Sequence, residues 1–291
     1  MKIKIVAITD LGKERTNNED VYLICHDLSK QDWSLNDTQS YSTLVNYGSV
    51  VVVADGMGGE NFGDVASSLA AESVKNTFSN DNIKHFLDEK NINGLMALCA
   101  KNADEAINNY LLEYPDVSGM GTTIVICWII NQMAHIAWCG DSRCYVFNPN
   151  KGIKQLTKDH SFVQELIDRG EINVEDAFTH PDNNIITRAL GDVETTTPEF
   201  VSYSLCPNDT LLLCTDGLCG YCKNQDIEKV LQSNYVNIAK CRDELLKLAL
   251  DAGGFDNVCL ALVSLIDDEQ NEPSPISQIQ KLKLFLKRFF H

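Results

Sequence analysis

The pattern of apolar residues predicts an α+β fold. Four short apolar segments have the length and composition of β-strands, namely residues 3–8, 49–54, 123–130 and 133–139. Between them, residues 64–78 and 95–111 repeat apolar side chains at helical spacing. Asn131 and Gln132 separate the last two strands by the length of a tight turn, so these strands are expected to be antiparallel neighbours. Long helices grouped between antiparallel strands favour α+β layering over a parallel doubly wound sheet.

Local residue chemistry supports the individual elements in chain order. The strand at 49–54 is rich in valine, which favours extended structure. The helix at 64–78 has an apolar stripe formed by Val65, Leu69, Val74 and Phe78. Further along, Ser161 and Gln164 have the spacing of a capping box, which predicts a short helix between Ser161 and Gly170.

Length and composition indicate one globular domain followed by a tail. The chain has 291 residues, of which 44% are hydrophobic and 22% are charged, as in average soluble proteins. A composition change near Pro273 predicts a folded domain at residues 1–266 and a linker and tail at 267–291. The tail carries apolar and basic residues at helical spacing. Such a basic amphipathic helix is expected to pack on the acidic body or to dock on a membrane surface or a partner protein.

Charge and missing motifs exclude several classes of protein. The chain has 24 Lys and Arg against 41 Asp and Glu, a net charge of −17, so a nucleic-acid partner is not expected. With no signal-peptide pattern or long apolar run, we expect a monomeric cytoplasmic protein that associates with membranes at most peripherally. None of the 11 cysteines precedes an arginine at the spacing of a cysteine phosphatase, and no P-loop motif occurs.

Aspartates stand at the ends of four apolar strands. Asp55 follows VVVA, Asp141 follows IAWCG, Asp216 follows LLLCT, and Asp256 precedes VCLALV. One Asp-Gly pair alone is ordinary turn chemistry. Repetition favours a shared site, because clustered carboxylates raise each other's pKa and destabilise the fold unless a cation joins them. Oxygen ligands, without histidines at metal-ligand spacing, favour Mg²⁺ or Mn²⁺.

The polar segment RTNNED at residues 15–20 adds groups suited to a phosphate ester. Arg15 offers a planar fork for phosphate oxygens, and Glu19 and Asp20 can hold waters bound to metal ions. A solvated turn is the alternative interpretation of this segment. Two ions about 3.5–4 Å apart can generate a nucleophile from a shared water, which is hydrolase chemistry.

Eight segments occur in one order along the chain: DLGKERTNNED, VVVADGMGG, SGMGTTIV, CGDSRCYVF, LTKDHSFVQELIDRGEI, NNIITRALGD, LLLCTDGL and GGFDNVCLALV. In this order they resemble the bacterial-type members of the protein phosphatase 2C family, which are metal-dependent serine/threonine phosphatases. The resemblance implies a four-layer αββα sandwich, in which helices flank two central antiparallel β-sheets. It also implies hydrolysis of phosphoserine and phosphothreonine by direct attack of a metal-bridging water, without a phosphoenzyme.

The same resemblance implies a role for each candidate metal ligand. Asp55 would bridge two Mn²⁺ or Mg²⁺ ions, and the Gly56 carbonyl would bind the second of them. Asp216 and Asp256 would bind the first ion. Asp141, together with Asp216, matches a third and weaker metal site.

The catalytic set implied by the resemblance is Arg15, Glu19, Asp20, Asp55 and Asp216. Arg15 matches the phosphate-binding arginine, and Glu19 and Asp20 match the acids that hold water. Residues 121–123 and Asn257 are expected to support the site. Animal relatives have a histidine where this chain has Met57, which cannot donate a proton, so the acid for the leaving group stays unassigned.

The sequence assigns no single role to two further segments. Residues 27–48 are longer than a minimal hairpin, and their function is left open. Residues 161–192 correspond to the family's variable flap, which either selects substrates or is a plain solvated helix and loop.

The expected partner is a phosphoprotein substrate, with a serine/threonine kinase acting in the opposite direction in signalling. Two alternative functions stay open from the sequence. One is a catalytically silent binding module with the phosphatase fold, although every expected carboxylate is present. The other is a two-metal nuclease or phosphodiesterase, which the acidic composition disfavours.

Overall fold

The structure, a computed structural model, describes residues 2–36, 40–43, 47–58, 62–88, 90–117, 119–191 and 197–266. Within these ranges two antiparallel β-sheets pack face to face, and helices cover both outer faces. The four-layer αββα sandwich is therefore confirmed. The predicted linker and basic tail at 267–291 lie outside the described residues, so their boundary stays a prediction.

The first sheet contains six strands: β1 (Lys2–Asp10), β4 (Ser40–Thr43), β9 (Arg143–Asn148), β10 (Gly152–Gln155), β12 (Thr210–Cys214) and β13 (Val258–Ile266). Their spatial order is β10-β9-β12-β13-β1-β4, and every neighbouring pair is antiparallel. The two longest strands, β1 and β13, thus lie side by side near its centre.

The second sheet contains seven strands: β2 (Asp20–Cys25), β3 (Trp33–Leu35), β5 (Ser49–Met57), β6 (Gly121–Thr122), β7 (Ile124–Ile130), β8 (Met133–Cys139) and β11 (Glu199–Ser204). The main order is β11-β8-β7-β5-β2-β3, and the short β6 pairs with the end of β5. The Asn131-Gln132 turn joins β7 and β8 with positive φ at both residues, as the predicted tight turn requires.

Helices form the two outer layers. α1 (Gly63–Thr77), α2 (Asn80–Asp88) and α3 (Ile92–Glu113) cover the second sheet, while α6 (Asp216–Cys219), α7 (Asn224–Asn234) and α8 (Ile238–Asp251) cover the first. The two long predicted helices correspond to α1 and α3. No helix in the described ranges is long and apolar enough to cross a lipid bilayer.

The valine run of β5 explains how the sandwich is held together. Val50 and Val52 face α1 and α3, whereas Val51 and Val53 face the opposite sheet, and all four are fully buried. Side chains alternate along a strand, so a strand covered on both faces is apolar at every position. The unbroken apolar run therefore marks β5 as a central strand that is buried on both faces.

The two segments without an assigned role contain strands and helices in their described parts. Residues 27–48 contribute β3 to the edge of one sheet and β4 to the edge of the other. The flap segment contains α4 (Phe162–Asp168) and α5 (Val174–Ala177). Ser161 caps α4 by accepting a 3.3 Å hydrogen bond from the Gln164 amide, as predicted.

Trp128 provides a test of the outer core of the second sheet. Its fully buried ring contacts the Phe78 ring edge-on at 5.4 Å, and its indole N–H donates to the Tyr47 carbonyl at 2.8 Å. We expect Trp128→Ala to lower the free energy of unfolding by about 3–5 kcal/mol, because it leaves a cavity. Urea unfolding measures this loss. Leu112→Ala is the control, since Leu112 is 80% exposed; an equally small effect of both substitutions would contradict this description of the core.

Candidate active site

The candidate acids meet where strands of both sheets end. Asp20, the first residue of β2, lies directly opposite Asp55 in the antiparallel register with β5. Asp216 follows β12 and Asp256 precedes β13, and these two strands are paired with each other. The charges of Asp216 and Asp256 both act on Asp20. Four carboxylates from distant parts of the chain thus share one edge of the sandwich.

A buried threonine joins the acids of the two sheets. The Thr215 hydroxyl donates a 2.7 Å hydrogen bond to Asp20 Oδ2 and accepts one of 2.9 Å from the Cys259 amide. Asp20 is 3% exposed, and Thr215 is fully buried. The hydroxyl therefore fixes the Asp20 carboxylate and connects β2 with β12 and β13.

Backbone contacts around Asp55 fix the end of β5. The Thr122 hydroxyl and the Thr123 amide both donate to the Asp55 carbonyl, at 2.8 and 2.9 Å. The Asp55 amide donates to the Thr123 hydroxyl at 3.2 Å, and that hydroxyl also contacts Ser142 Oγ at 2.8 Å. Because Ser142 adjoins Asp141, one threonine links the Asp55 and Asp141 segments.

Asn257 anchors the polar loop that follows β1. Its side-chain oxygen accepts a 2.9 Å hydrogen bond from the Glu19 amide, and its side-chain nitrogen donates to the carbonyls of Leu11 and Asn17. Asn257 itself is buried. One amide side chain thereby holds three points of the loop that carries Arg15.

Gly56 lies in close contact with the start of α1. A Cβ atom at this position would lie 2.0 Å from the Gly63 carbonyl oxygen, so a side chain cannot be accommodated without backbone movement. The Gly56 amide donates to the Glu19 carbonyl at 3.1 Å. The Glu19 carboxylate lies against Gly63 at the helix N-terminus, where a Cβ atom would be 2.8 Å from Glu19 Oε1.

Arg15 stands at the mouth of the acidic cluster. Its Nη2 donates to Asp256 Oδ2 at 2.8 Å, and its side chain is 50% exposed. A guanidinium has five N–H donors in a fixed plane, so this contact leaves donors for a phosphate group. The contact also holds the positive group beside the carboxylates.

The electrostatics of the cluster oppose full ionisation. Burial raises the pKa of Asp20, Asp55 and Asp141 well above the ordinary value, and neighbouring carboxylates raise it further. Burial, followed by the charge of Asp256, also raises the pKa of Asp216. A cation would relieve this repulsion.

The residues present suit a hard divalent cation in chemistry and in burial. Asp141 Oδ1 and Asp216 Oδ1 are buried without a hydrogen-bond partner, and all candidate side-chain ligands are carboxylates. Across the described part of the chain, no three acidic, histidine or cysteine side chains are arranged as a metal site. Instead, Asp216 and Asp55 contact each other, and Asp256 pairs with Arg15. Binding would thus require these side chains to turn towards an ion.

Comparison with known proteins assigns the chain and its fold to a family. A family model described as protein phosphatase 2C matches residues 12–258. The chain belongs to the protein phosphatase 2C family. It is 34% identical over 260 residues to the serine/threonine phosphatase stp of Listeria innocua, covering 88% of this chain and 93% of that protein.

Solved protein phosphatase 2C structures are similar over nearly the whole chain. The Mycobacterium tuberculosis serine/threonine phosphatase PstP/Ppp has a TM-score of 0.74 and 30% identity, covering 92% of this chain and 100% of its own. A structure of the PstP catalytic domain in complex with two manganese ions has a TM-score of 0.71 and 29% identity, covering 91% and 99%.

Family membership confirms the predicted protein serine/threonine phosphatase, an enzyme that acts on phosphoproteins. The silent binding module is not favoured. Membership and the manganese complex of PstP also imply dependence on metal ions. The assignment of individual residues to ions and to catalytic steps stays a prediction.

Two supporting contacts were missed at the sequence level. The first is the Thr215 hydroxyl, although Thr215 directly precedes Asp216 in the segment LLLCTDGL. The second is the partly buried ion pair of Arg143 with Asp159, at 2.6 Å, which joins the segments CGDSRCYVF and LTKDHSFVQELIDRGEI. The residues of both contacts lie inside the eight segments, and this position was their signal in the sequence. The contacts themselves cannot be inferred without the tertiary fold.

The Thr215 hydroxyl can be tested by substitution. We expect Thr215→Val to lower the free energy of unfolding by about 1–3 kcal/mol, because Asp20 loses a donor and the Cys259 amide loses an acceptor. Urea unfolding in the presence of a chelator measures the change. Thr215→Ser, which keeps the hydroxyl, should lie close to the unsubstituted protein; a loss in Thr215→Ser as large as that in Thr215→Val would contradict the role assigned to the hydroxyl.

Relief of carboxylate repulsion can be measured without any substrate. We expect Mn²⁺ at about one hundred times its dissociation constant to raise the free energy of unfolding by about 2.7 kcal/mol relative to chelator. Isothermal urea unfolding gives this difference. Asp216→Asn should reduce it, whereas Asp226→Asn, at an exposed position in α7, should not. A stability that does not respond to Mn²⁺ would contradict a metal role for the cluster.

Proposed function

We propose that this phosphatase uses two divalent ions, Mn²⁺ or Mg²⁺, at its strand-end carboxylates to hydrolyse phosphoserine and phosphothreonine by direct attack of water. The observation that carries the proposal is the pairing of Asp20 with Asp55 in one register, beside Asp216 and Asp256, with Arg15 at the mouth. In the cell its activity would reverse that of a serine/threonine kinase.

The individual ligands are those that the resemblance to the family implies, and the shared position of the carboxylates at one edge of the sandwich supports them. Asp55 and the Gly56 carbonyl would hold one ion, and Asp55, Asp216 and Asp256 the other. Asp141 lies close enough for its charge to interact with that of Asp216, so this pair would hold a third ion more weakly. When bound, two ions would lower the pKa of a shared water towards neutrality and thereby supply the nucleophile.

Arg15 and the loop acids have complementary roles. The Arg15 guanidinium, held by Asp256, would donate to the equatorial phosphate oxygens and orient phosphorus towards the buried acids. Glu19 and Asp20 would accept hydrogen bonds from water that enters the site. The Asp20 carboxylate is held by the Thr215 hydroxyl, which fixes its orientation in the site.

The surrounding thiols support direct attack by water over a covalent phosphoenzyme. Cys259 lies within the field of Asp20 and Asp55, and burial raises its pKa well above the ordinary value. A protonated buried thiol is a poor nucleophile. This buried thiol is therefore a poor competitor with water for phosphorus.

The proposal is tested by hydrolysis of a phosphothreonine peptide with Mn²⁺ and with chelator. We expect Asp216→Asn to lower kcat/KM by at least about a hundredfold, since loss of even an outer partner of a metal site costs 10–100-fold. Asp226→Asn is the matched control, because Asp226 is 43% exposed and pairs with Lys229 in α7. Undiminished turnover by Asp216→Asn, or equal rates in chelator and Mn²⁺, would refute the scheme.

A further inference from the structure

An exposed aromatic pair lies beside the candidate active site. The rings of Tyr221 and Phe255 are 5.5 Å apart at an angle of 44°. Tyr221 is 39% exposed and Phe255 is 53% exposed. Single exposed apolar residues are common on protein surfaces, but two aromatic rings in contact form a continuous apolar surface. We call this pair the aromatic ledge.

The aromatic ledge adjoins the groups that would bind phosphate. Phe255 directly precedes Asp256, whose carboxylate accepts the hydrogen bond from Arg15. Tyr221 lies within the field of Asp216, Asp256 and Arg15, which all act on its hydroxyl. The ledge therefore begins next to the arginine at the mouth of the site.

Contacts within the loop that carries Phe255 fix the position of its ring. Gly253 has a φ of +134°, and a Cβ atom there would lie 2.1 Å from the Phe255 ring, so the ring packs directly on the glycine backbone. The Lys13 amide donates to the Gly254 carbonyl at 2.7 Å. An aromatic surface ordered in advance loses little conformational freedom when it binds a ligand.

Charge and chain geometry indicate what the ledge contacts. The protein carries a net charge of −17, and the site itself is lined by carboxylates, so acidic residues of a substrate are disfavoured nearby. A phosphorylated segment whose phosphate lies at Arg15 must place its neighbouring side chains over the rim of the site. In an extended peptide, the side chains one or two positions before and after the phosphorylated residue are the ones closest to it, so these side chains would lie over the rim.

We infer that the aromatic ledge binds an apolar side chain flanking the phosphorylated residue, and that Tyr221 and Phe255 thereby select phosphopeptides with apolar neighbours. This inference rests on the proposed function of the adjoining site. Tyr221 and Phe255 would contribute to peptide recognition, whereas Arg15 and the acids act on the phosphate that all substrates share.

The selection can be measured by comparing the hydrolysis of two phosphothreonine peptides. One carries leucine and the other serine at the two positions on each side of the phosphothreonine. We expect the unsubstituted enzyme, with Mn²⁺, to show about a tenfold higher kcat/KM for the leucine peptide, mainly through a lower KM. Phe255→Ala and Tyr221→Ala should each reduce this ratio towards one, and the double substitution should abolish the preference.

Tyr235→Ala is the matched control, since Tyr235 is 40% exposed on the connection between α7 and α8. This variant should keep the leucine preference. A ratio near one in the unsubstituted enzyme would overturn the inference, as would equal losses on both peptides in Phe255→Ala and Tyr221→Ala, which would indicate a purely structural role. If the unsubstituted enzyme hydrolysed neither peptide, the proposed function itself would fail, and the inference with it.

Discussion

Repulsion between Asp20 and Asp55, placed opposite each other on neighbouring strands, is the constraint on which the rest of the site depends. Like charges directly opposite in a sheet are destabilising, and burial increases that cost. The sandwich offsets it locally through the Thr215 hydroxyl on Asp20 and through Arg15 on Asp256. A divalent cation bound between the carboxylates would remove the remaining repulsion. The arrangement that destabilises the fold without metal therefore favours metal binding.

The supports of this cluster come from the backbone as much as from side chains. Thr122 and Thr123 hold the carbonyl of Asp55, and Asn257 holds the loop around Glu19. Each contact joins segments that are far apart in the chain, so the positions of the acids depend on correct packing of both sheets. Stability of the sandwich and geometry of the site are therefore coupled, and substitutions in the supports should affect both.

In the proposed scheme, phosphate and peptide are recognised by different kinds of residue. The acids sit at strand ends, where Asp20 and Asp141 are buried and the others are half-buried, which suits a reaction common to every substrate. The aromatic ledge of Tyr221 and Phe255 lies on exposed connections at the rim. Such connections can vary without disturbing the core, so the rim is a suitable place for the peptide selection that we propose.

The sequence by itself determined the valine-rich central strand, the long helices, the cap at Ser161, the acids at the strand ends and, through eight ordered segments, the family. These features depend on local periodicity or on residues adjacent in the chain. Tertiary structure alone decided that Asp20 faces Asp55, that Thr215 reaches Asp20 across 195 positions, and that Tyr221 touches Phe255. It also decided that residues 27–48 supply an edge strand to each sheet. Contacts between distant segments depend on how two sheets pack and in which register their strands pair, and no local pattern encodes that choice.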